Sequence, residues 1–475
     1  MNLTVVILAA GMGKRMNSDI PKVLHEALGR PMLQHTIDAV RKLRPAKLVV
    51  VVGNGAEKVK ERVNDGRISF VLQKELLGTG DALSAARKEL KQGTVLVING
   101  DCPLITVKTL KNLMARHRRG KNALSFLSFT DESMSGYGRI LRDENGRVFG
   151  IVEDKHATPE QKRRSKELNG GVYAIETNIL DLLDRIKKNS NSGEYYLTDI
   201  ISIVAASGKR LEAYDCPAEE IRGVNNRKEL FEISDILRMR VISLWMQKGV
   251  TFMDPRTSMV HASVSIGRDT VIYPNTYLEG GTVIGRNCTV YQGVRIRDSR
   301  VGDGAVVKDN PLVEQSRIGD GASVGPFAHL RPGSMIGRNA KIGNFVEIKK
   351  SVIGEGSKAS HLSYLGDADI GSNVNIGAGT ITCNYDGKNK SRTRIGSGVF
   401  VGSDSQLVAP VTIGKGAYVA AGATITRDVP AGSLAISRAE QKNITGWAGK
   451  RMEAQKRGRT EVPARKKRTG KKRKK

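Results

Sequence analysis

The chain has 475 residues, a formal net charge of +29, 52 glycines and 5% aromatic residues, and its length predicts two domains or three rather than one core. No apolar run approaches the ~18–20 residues that span a bilayer, and the apolar opening run 3–10 has no basic residue before it, so neither a membrane span nor a signal peptide is expected. The cysteines Cys102, Cys216, Cys288 and Cys383 are scattered without a CxxC pair, which argues against a zinc site or a disulfide framework and fits a reducing, cytoplasmic location.

Residues 1–225 alternate short β-branched runs at 4–8, 47–52, 69–72 and 94–98 with helical patterns at 32–43 and 79–90. That rhythm predicts a Rossmann-like α/β domain with a largely parallel sheet, whose ligands bind at the carboxyl ends of the strands. The first strand runs into Leu8-Ala9-Ala10-Gly11-Met12-Gly13-Lys14-Arg15-Met16, followed by Pro21-Lys22. A glycine turn there lets backbone amides approach phosphate, with added field from a following helix N-terminus. It is neither the dinucleotide fingerprint, because Met16 stands where a third glycine belongs, nor a Walker A loop. Arg15 and Lys22 supply the positive charge that an attacked phosphoryl group requires. Asn99-Gly100-Asp101 directly follows the run 94–98, where a carboxylate is well placed for magnesium.

Residues 226–250 read as one helix linking the domains, with Leu230, Ile233, Leu237, Val241 and Leu244 as its apolar stripe. From 251 to 449 the pattern changes. Isoleucine or valine followed by glycine recurs at 266, 284, 301, 318, 336, 353, 370, 395 and 413, mostly at intervals of 17 or 18, with intermediate pairs six residues on. Three short strands per coil, each with an inward aliphatic residue and a glycine permitting the corner turn, predict a parallel β-helix of triangular cross-section built from six-residue repeats. The polar segment 383–390 interrupts the rhythm and is expected to project as a loop, a common place for function. Three other polar stretches break the repeat: 329–332, 347–350 and 361–364. Proton-transfer chemistry near neutral pH would call on histidine, and the spacing leaves His329 and His361 both open as candidates.

Residues 450–475 hold fourteen Lys/Arg against two Glu, so this basic tail carries +12 of the charge and leaves +17 on the rest. The tail reads as disordered. Its charge suits RNA, ribosomes or anionic lipid, but the low aromatic content does not favour nucleic acid. A basic body suits polyanionic ligands such as nucleotides, sugar phosphates and coenzyme A.

Together with the repeats, the stretches Gly136-Tyr137-Gly138-Arg139, Gly150-Ile151-Val152-Glu153, Glu194-Tyr195-Tyr196-Leu197-Thr198-Asp199 and Gly223-Val224-Asn225-Asn226-Arg227 closely resemble the bifunctional bacterial N-acetylglucosamine-1-phosphate uridylyltransferase/glucosamine-1-phosphate acetyltransferase family (GlmU) over roughly residues 3–447. The resemblance implies that Leu8, Ala9, Ala10, Gly11, Lys22, Gln73, Gly78 and Thr79 hold the uridine nucleotide, with Asn99 and Gly100 beside them. Gly138, Glu153 and Asn169 would contact N-acetylglucosamine, and Asp101 and Asn225 would hold magnesium. It also implies that His361 is the acetyl-transfer base and that Arg331, Lys349, Tyr364, Asn375 and Lys390 bind the sugar phosphate. Asn384 and Tyr385 of the projecting loop would serve this second site between sugar phosphate and acetyl-coenzyme A, and Ala378, Ser403, Ala421 and Arg438 would line the acetyl-coenzyme A site. The substrates implied are glucosamine 1-phosphate, acetyl-coenzyme A and UTP, the assembly a homotrimer, and the product a precursor for peptidoglycan and lipopolysaccharide. Two departures stand out: Lys14 where many members have threonine, and Asn99 in place of an aromatic found in some.

Two other readings compete with this one. A uridylyltransferase whose β-helix is only a trimerisation scaffold has no need of Arg331, Lys349, His361 and Asn384. A non-catalytic assembly or exchange-factor subunit would have lost Gly11, Gly13, Arg15, Lys22 and Asp101, all present here.

Overall fold

A computed structural model of the chain describes residues 2–132 and 134–460. The first half is built on a nine-stranded sheet. Its main path runs Leu211–Asp215, Leu124–Thr130, Glu167–Glu176, Thr94–Asn99, Leu3–Ala9, Lys47–Val52 and Ser69–Leu72. Within it only Glu167–Glu176 runs antiparallel to its neighbours, and the hairpin of Arg139–Arg142 with Val148–Val152 hangs from that strand. Helices cover both faces, which is why the central strands are apolar throughout rather than alternating. Val5 and Ile7 pack into one core with Val50 and Ile98, while Val6 packs into the other with Val49 and Val97.

Leu3–Ala9 pairs with Lys47–Val52 on one side and with Thr94–Asn99 on the other, so the chain order reverses across it. A crevice forms at such a switch point, outside the carboxyl ends of the strands. The glycine-bearing loop 10–13 and the turn 100–101 meet there, tied by the Gly100 N–H donating to the Leu8 carbonyl at 2.9 Å. The helix expected after the glycine loop is absent. A single 3₁₀ turn, Lys14–Met16, follows instead, and the first α-helix is Met32–Arg41. One short turn carries no appreciable macrodipole, so positive charge at this loop comes from side chains and individual amides.

The connecting helix is Arg227–Gln247, capped by the Asn226 side chain accepting from Glu229 N–H. Ile233 and Leu237 are buried as the stripe predicts, but Leu244 is exposed and Ile242 is buried in its place. The reason is a change of partner. The first half of the helix packs on the sheet domain, whereas Ile242 and Trp245 pack on the first β-helix coil. The Arg238 guanidinium is buried there and donates to the Pro255 carbonyl at 2.5 Å, fastening helix to coil.

From Thr251–Phe252 onward, short strands stack into three parallel sheets of eleven, ten and nine strands, the left-handed parallel β-helix of hexapeptide repeats. One continuous column of Ile, Val and Leu fills its interior, including Ile318, Ile336 and Ile353 at one corner of each coil. Each fully buried aliphatic side chain contributes roughly 1.5–3 kcal/mol. The glycines after those aliphatics do not make the corner turns, contrary to the expectation above. Corner residues with positive φ include Asp269, Asn287, Asn339 and Asn373, polar residues that tolerate the left-handed region. The repeat glycines instead admit the next coil: a Cβ on Gly319 would lie 2.7 Å from the backbone nitrogen of Arg338 and 2.8 Å from the carbonyl carbon of Gly337. Gly319→Ala is therefore expected to destabilise the β-helix by about 1–3 kcal/mol through overpacking, read as a lower melting temperature with unchanged helix content.

The interrupted coil keeps its register. Ile381–Cys383 and Thr393–Ile395 stay paired with neighbouring coils, and the intervening segment leaves the surface as a small hairpin closed by a Tyr385–Lys390 bridge. The tail departs from expectation. Residues 450–460 are helical, within Trp447–Thr460, and residues 461–475 lie outside the described residues. No helix among the described residues is long and apolar enough to cross a membrane.

Candidate active sites

The crevice at the switch point is a cleft with two adjoining lobes. The larger, of about 890 Å³, is lined by Leu8, Ala9, Ala10, Gly11, Lys22, Gln73, Gly78, Thr79, Asn99 and Asp101, together with Lys14. The smaller, of about 420 Å³, is lined by Arg15, Gly138, Asn169 and Asn225, with Leu8, Thr79, Asn99, Asp101 and Glu153 among the residues shared between the two. Gly100 does not reach the cleft. It is buried behind it, where a Cβ would press within 3.3 Å of Ala9 and Leu33, so its role is packing.

Local chemistry explains how these side chains are held. Gly13 has φ +64° and sits so near Lys22 that a Cβ would come within 2.5 Å of that side chain. The glycine therefore seats the lysine, a contact invisible in the sequence. Lys22 is ion-paired with Asp101, and Arg15 donates to the Asn225 side-chain oxygen at 2.9 Å. Asn225 is oriented by Glu229, which accepts from both its backbone N–H (2.8 Å) and its side-chain amide (3.1 Å). The amide oxygen is thereby turned into the cleft. The two cations thus each rest against an oxygen that a metal ion could use. Gln73 is buried with its amide hydrogens bonded to the Gly78 carbonyl at 3.0 Å and the Asp81 carboxylate at 2.7 Å, which leaves its oxygen as an acceptor.

The smaller lobe is equally pre-arranged. Glu153 accepts from the Thr198 hydroxyl at 2.6 Å, and Asn169 donates to the Tyr173 hydroxyl at 2.7 Å. Burial, then the nearby Glu153, raise the Asp199 carboxyl above the ordinary range. Tyr137 receives the Gly223 N–H at 3.2 Å and so tethers the segment bearing Asn225; burial pushes its phenol up to about 12. Cys102 stands beside Asp101, but burial and then that carboxylate hold its thiol well above the usual range, so it supplies no thiolate here.

The donor set fits magnesium. That ion keeps several waters and takes one or two protein oxygens plus phosphate. Asp101 and Asn225 present one carboxylate and one amide oxygen to a common lobe, joined by the Val224 N–H bond to the Asp101 carbonyl at 3.2 Å. No cluster of three or more His, Cys, Asp or Glu that could hold a metal occurs among the described residues.

On the β-helix, coil register assembles the second candidate site. Asn344 pairs with His361, and continuing the registers of the following coils by two residues stacks His361, Ala378, Ser403 and Ala421 at one corner. Arg438 donates to the Ala421 carbonyl at 2.8 Å at the far end of this column. Three coil steps of about 4.8 Å make a track about 14 Å long, suited to an extended thioester arm. Arg331, Lys349 and Tyr364 lie on the adjoining face, and Arg331 donates to Glu347 at 2.9 Å. Tyr364 folds over Gly366, where a Cβ would meet its hydroxyl at 2.4 Å.

Lys390 of the projecting hairpin stands beside Lys349, and that neighbouring ammonium lowers it below the ordinary lysine range. Two cations placed together make an anion site. Asn384 is buried, with its amide donating to Asp367 at 2.5 Å, whereas Tyr385 is exposed. Asn375 is not brought together with this group: it lies on the other face, between Lys358 and Phe400. The two histidines now separate. His329 Nε2 lies 3.5 Å from Glu314, whereas His361 bonds Asn344 through Nδ1 at 2.7 Å.

Comparison with known proteins agrees with this layout. The model of the MobA-like NTP transferase domain matches residues 5–150, that of the GMPPB C-terminal domain matches 255–338, and that of the bacterial transferase hexapeptide (six repeats) matches 392–427. A protein named bifunctional protein GlmU from Thermodesulfovibrio yellowstonii is 48% identical over 450 residues, covering 94% of this chain and 99% of its own. Proteins of the same name from Clostridium beijerinckii (47%, covering 94% and 98%) and a Geobacillus species (48%, covering 92% and 96%) are similarly close. Such identity, over alignments that cover more than nine-tenths of the chain, places it in the family of bifunctional GlmU proteins.

Proposed function

We propose that this chain makes UDP-N-acetylglucosamine in two steps at two sites. At the β-helix corner, the amine of glucosamine 1-phosphate attacks the thioester carbonyl of acetyl-coenzyme A. A carbon–nitrogen bond forms and the carbon–sulfur bond breaks; His361 Nε2 takes the amine proton and returns it to the departing sulfur, so that coenzyme A leaves as its thiol. Lys349, Lys390 and Arg331 hold the sugar phosphate, with Tyr364 against it. At the glycine loop, a phosphate oxygen of N-acetylglucosamine 1-phosphate attacks the α-phosphorus of UTP and pyrophosphate departs. Lys22 and Arg15 neutralise charge that builds on the phosphates, and Gln73 accepts a hydrogen bond from the uracil ring. Asp101 and Asn225 would hold magnesium, which would supply further neutralisation of the triphosphate.

The observation that carries this reading is the Lys349–Lys390 pair on the β-helix face that follows the His361 corner. A β-helix serving only as scaffold has no use for two adjacent ammonium groups, which repel without an anion between them.

A cytoplasmic homotrimer is part of the proposal. Three features support association through the β-helix: the Phe327–Phe345 stack exposed at a corner, Asn375 on a face away from its expected partners, and the run 436–456, in which every residue is exposed. Bulky residues with φ near +50° are strained, and burying them against a second copy offsets that strain.

A mass-spectrometric product assay tests the function. Protein is incubated with glucosamine 1-phosphate, acetyl-coenzyme A, UTP and magnesium, omitting each in turn. UDP-N-acetylglucosamine forming only with all components is the expected result. Product appearing only from pre-acetylated sugar phosphate would reduce the β-helix to a scaffold.

A further inference from the structure

Strands on the first β-helix face are two residues long in every coil except two, Lys341–Asn344 and Lys358–His361, which are four. The extension pairs Asn344 with His361 across neighbouring coils. It depends on Gly343, since a Cβ there would lie 1.9 Å from the Ser360 carbonyl oxygen. Coil stacking thus brings one amide oxygen to 2.7 Å from His361 Nδ1.

An amide oxygen only accepts hydrogen bonds, so the ring must carry its proton on Nδ1. Nε2 is then left with its lone pair, and it has no hydrogen-bond partner among the described residues. Asn344 is also uncharged. A carboxylate in its place would select the same tautomer but would favour the imidazolium, which is not a base. We infer that Asn344 is a positioning residue for acetyl transfer, holding His361 as the Nδ1–H tautomer with Nε2 as the proton acceptor. The inference rests on the proposed role of His361.

The experiment compares Asn344→Ala, Asn344→Asp and His361→Ala in the full chain, measuring kcat and KM for glucosamine 1-phosphate and acetyl-coenzyme A across the imidazole titration range. Asn344→Ala should lower kcat by roughly 10–100-fold, the range for histidines that lose an orienting partner, with KM values and uridylyl transfer unchanged. Asn344→Asp keeps the acceptor and should recover much of kcat, while its acid limb moves to higher pH by about one to two units. A kcat within twofold of the parent in Asn344→Ala would overturn the inference. So would an unmoved acid limb in Asn344→Asp, or a loss in Asn344→Ala matched by weakened uridylyl transfer and a lower melting temperature. Acetyl transfer persisting in His361→Ala would instead remove the assignment of the base, a failure of the functional reading that the Asn344 variants alone could not produce.

Discussion

Replacing His361 by alanine is expected to abolish acetyl transfer, with a fall of about 10²–10⁴-fold, while uridylyl transfer from pre-acetylated sugar phosphate stays within twofold of the parent. The size of the effect follows from the arrangement of the corner. His361 stands where the corner column of Ala378, Ser403 and Ala421 begins and where the face bearing Lys349 and Tyr364 adjoins it. The other histidine left open by the sequence, His329, lies at 3.5 Å from the Glu314 carboxylate. The fold should tolerate the change, because His361 is exposed and the inward position of its strand is Ala359. Separate assays of the two reactions on a protein of unchanged melting temperature check the result. A loss of both activities would mean that the sites are not independent.

The converse is expected of Asp101→Ala: uridylyl transfer falls by about 10²–10³-fold, and N-acetylglucosamine 1-phosphate accumulates with acetyl transfer intact. Two losses combine. The carboxylate offered to magnesium disappears, and Lys22 is left without the ion-pair partner that holds it beside the phosphate path. Asp101→Asn keeps the shape and one oxygen, so it should recover part of the pairing geometry but little of the metal affinity. Titration with magnesium separates the two contributions: a raised magnesium requirement in Asp101→Asn assigns the defect to metal binding. A unchanged requirement would assign it to Lys22 and remove Asp101 from the metal site.

Much of this molecule is legible in the amino-acid order because its signals are local and repeated. The six-residue spacing of aliphatics in the β-helix is a direct record of which side chains point inward. The strand-then-loop order around Gly11 and Asp101 likewise locates a crevice before any coordinates are known. The amino-acid order is silent wherever a residue's purpose depends on a neighbour distant in the chain. The repeat glycines were assigned to turns, yet Gly319 is required by the backbone of Arg338 in the next coil. An α-helix was expected after the glycine loop, and a 3₁₀ turn stands there. Asn344 carried no motif at all. Its proximity to His361 arises only once coils of 17 residues stack in register.

The division has a physical basis. Periodicity, glycine content and the order of charged residues are properties of the chain itself, and they are enough to predict a largely parallel sheet with a crevice, followed by a parallel coil. Tertiary structure decided which lysine meets which carboxylate, which face receives Asn375, and which partner sets the proton on His361. Those outcomes turn on hydrogen bonds and close approaches of a few tenths of an ångström, between residues that only the completed register brings within reach.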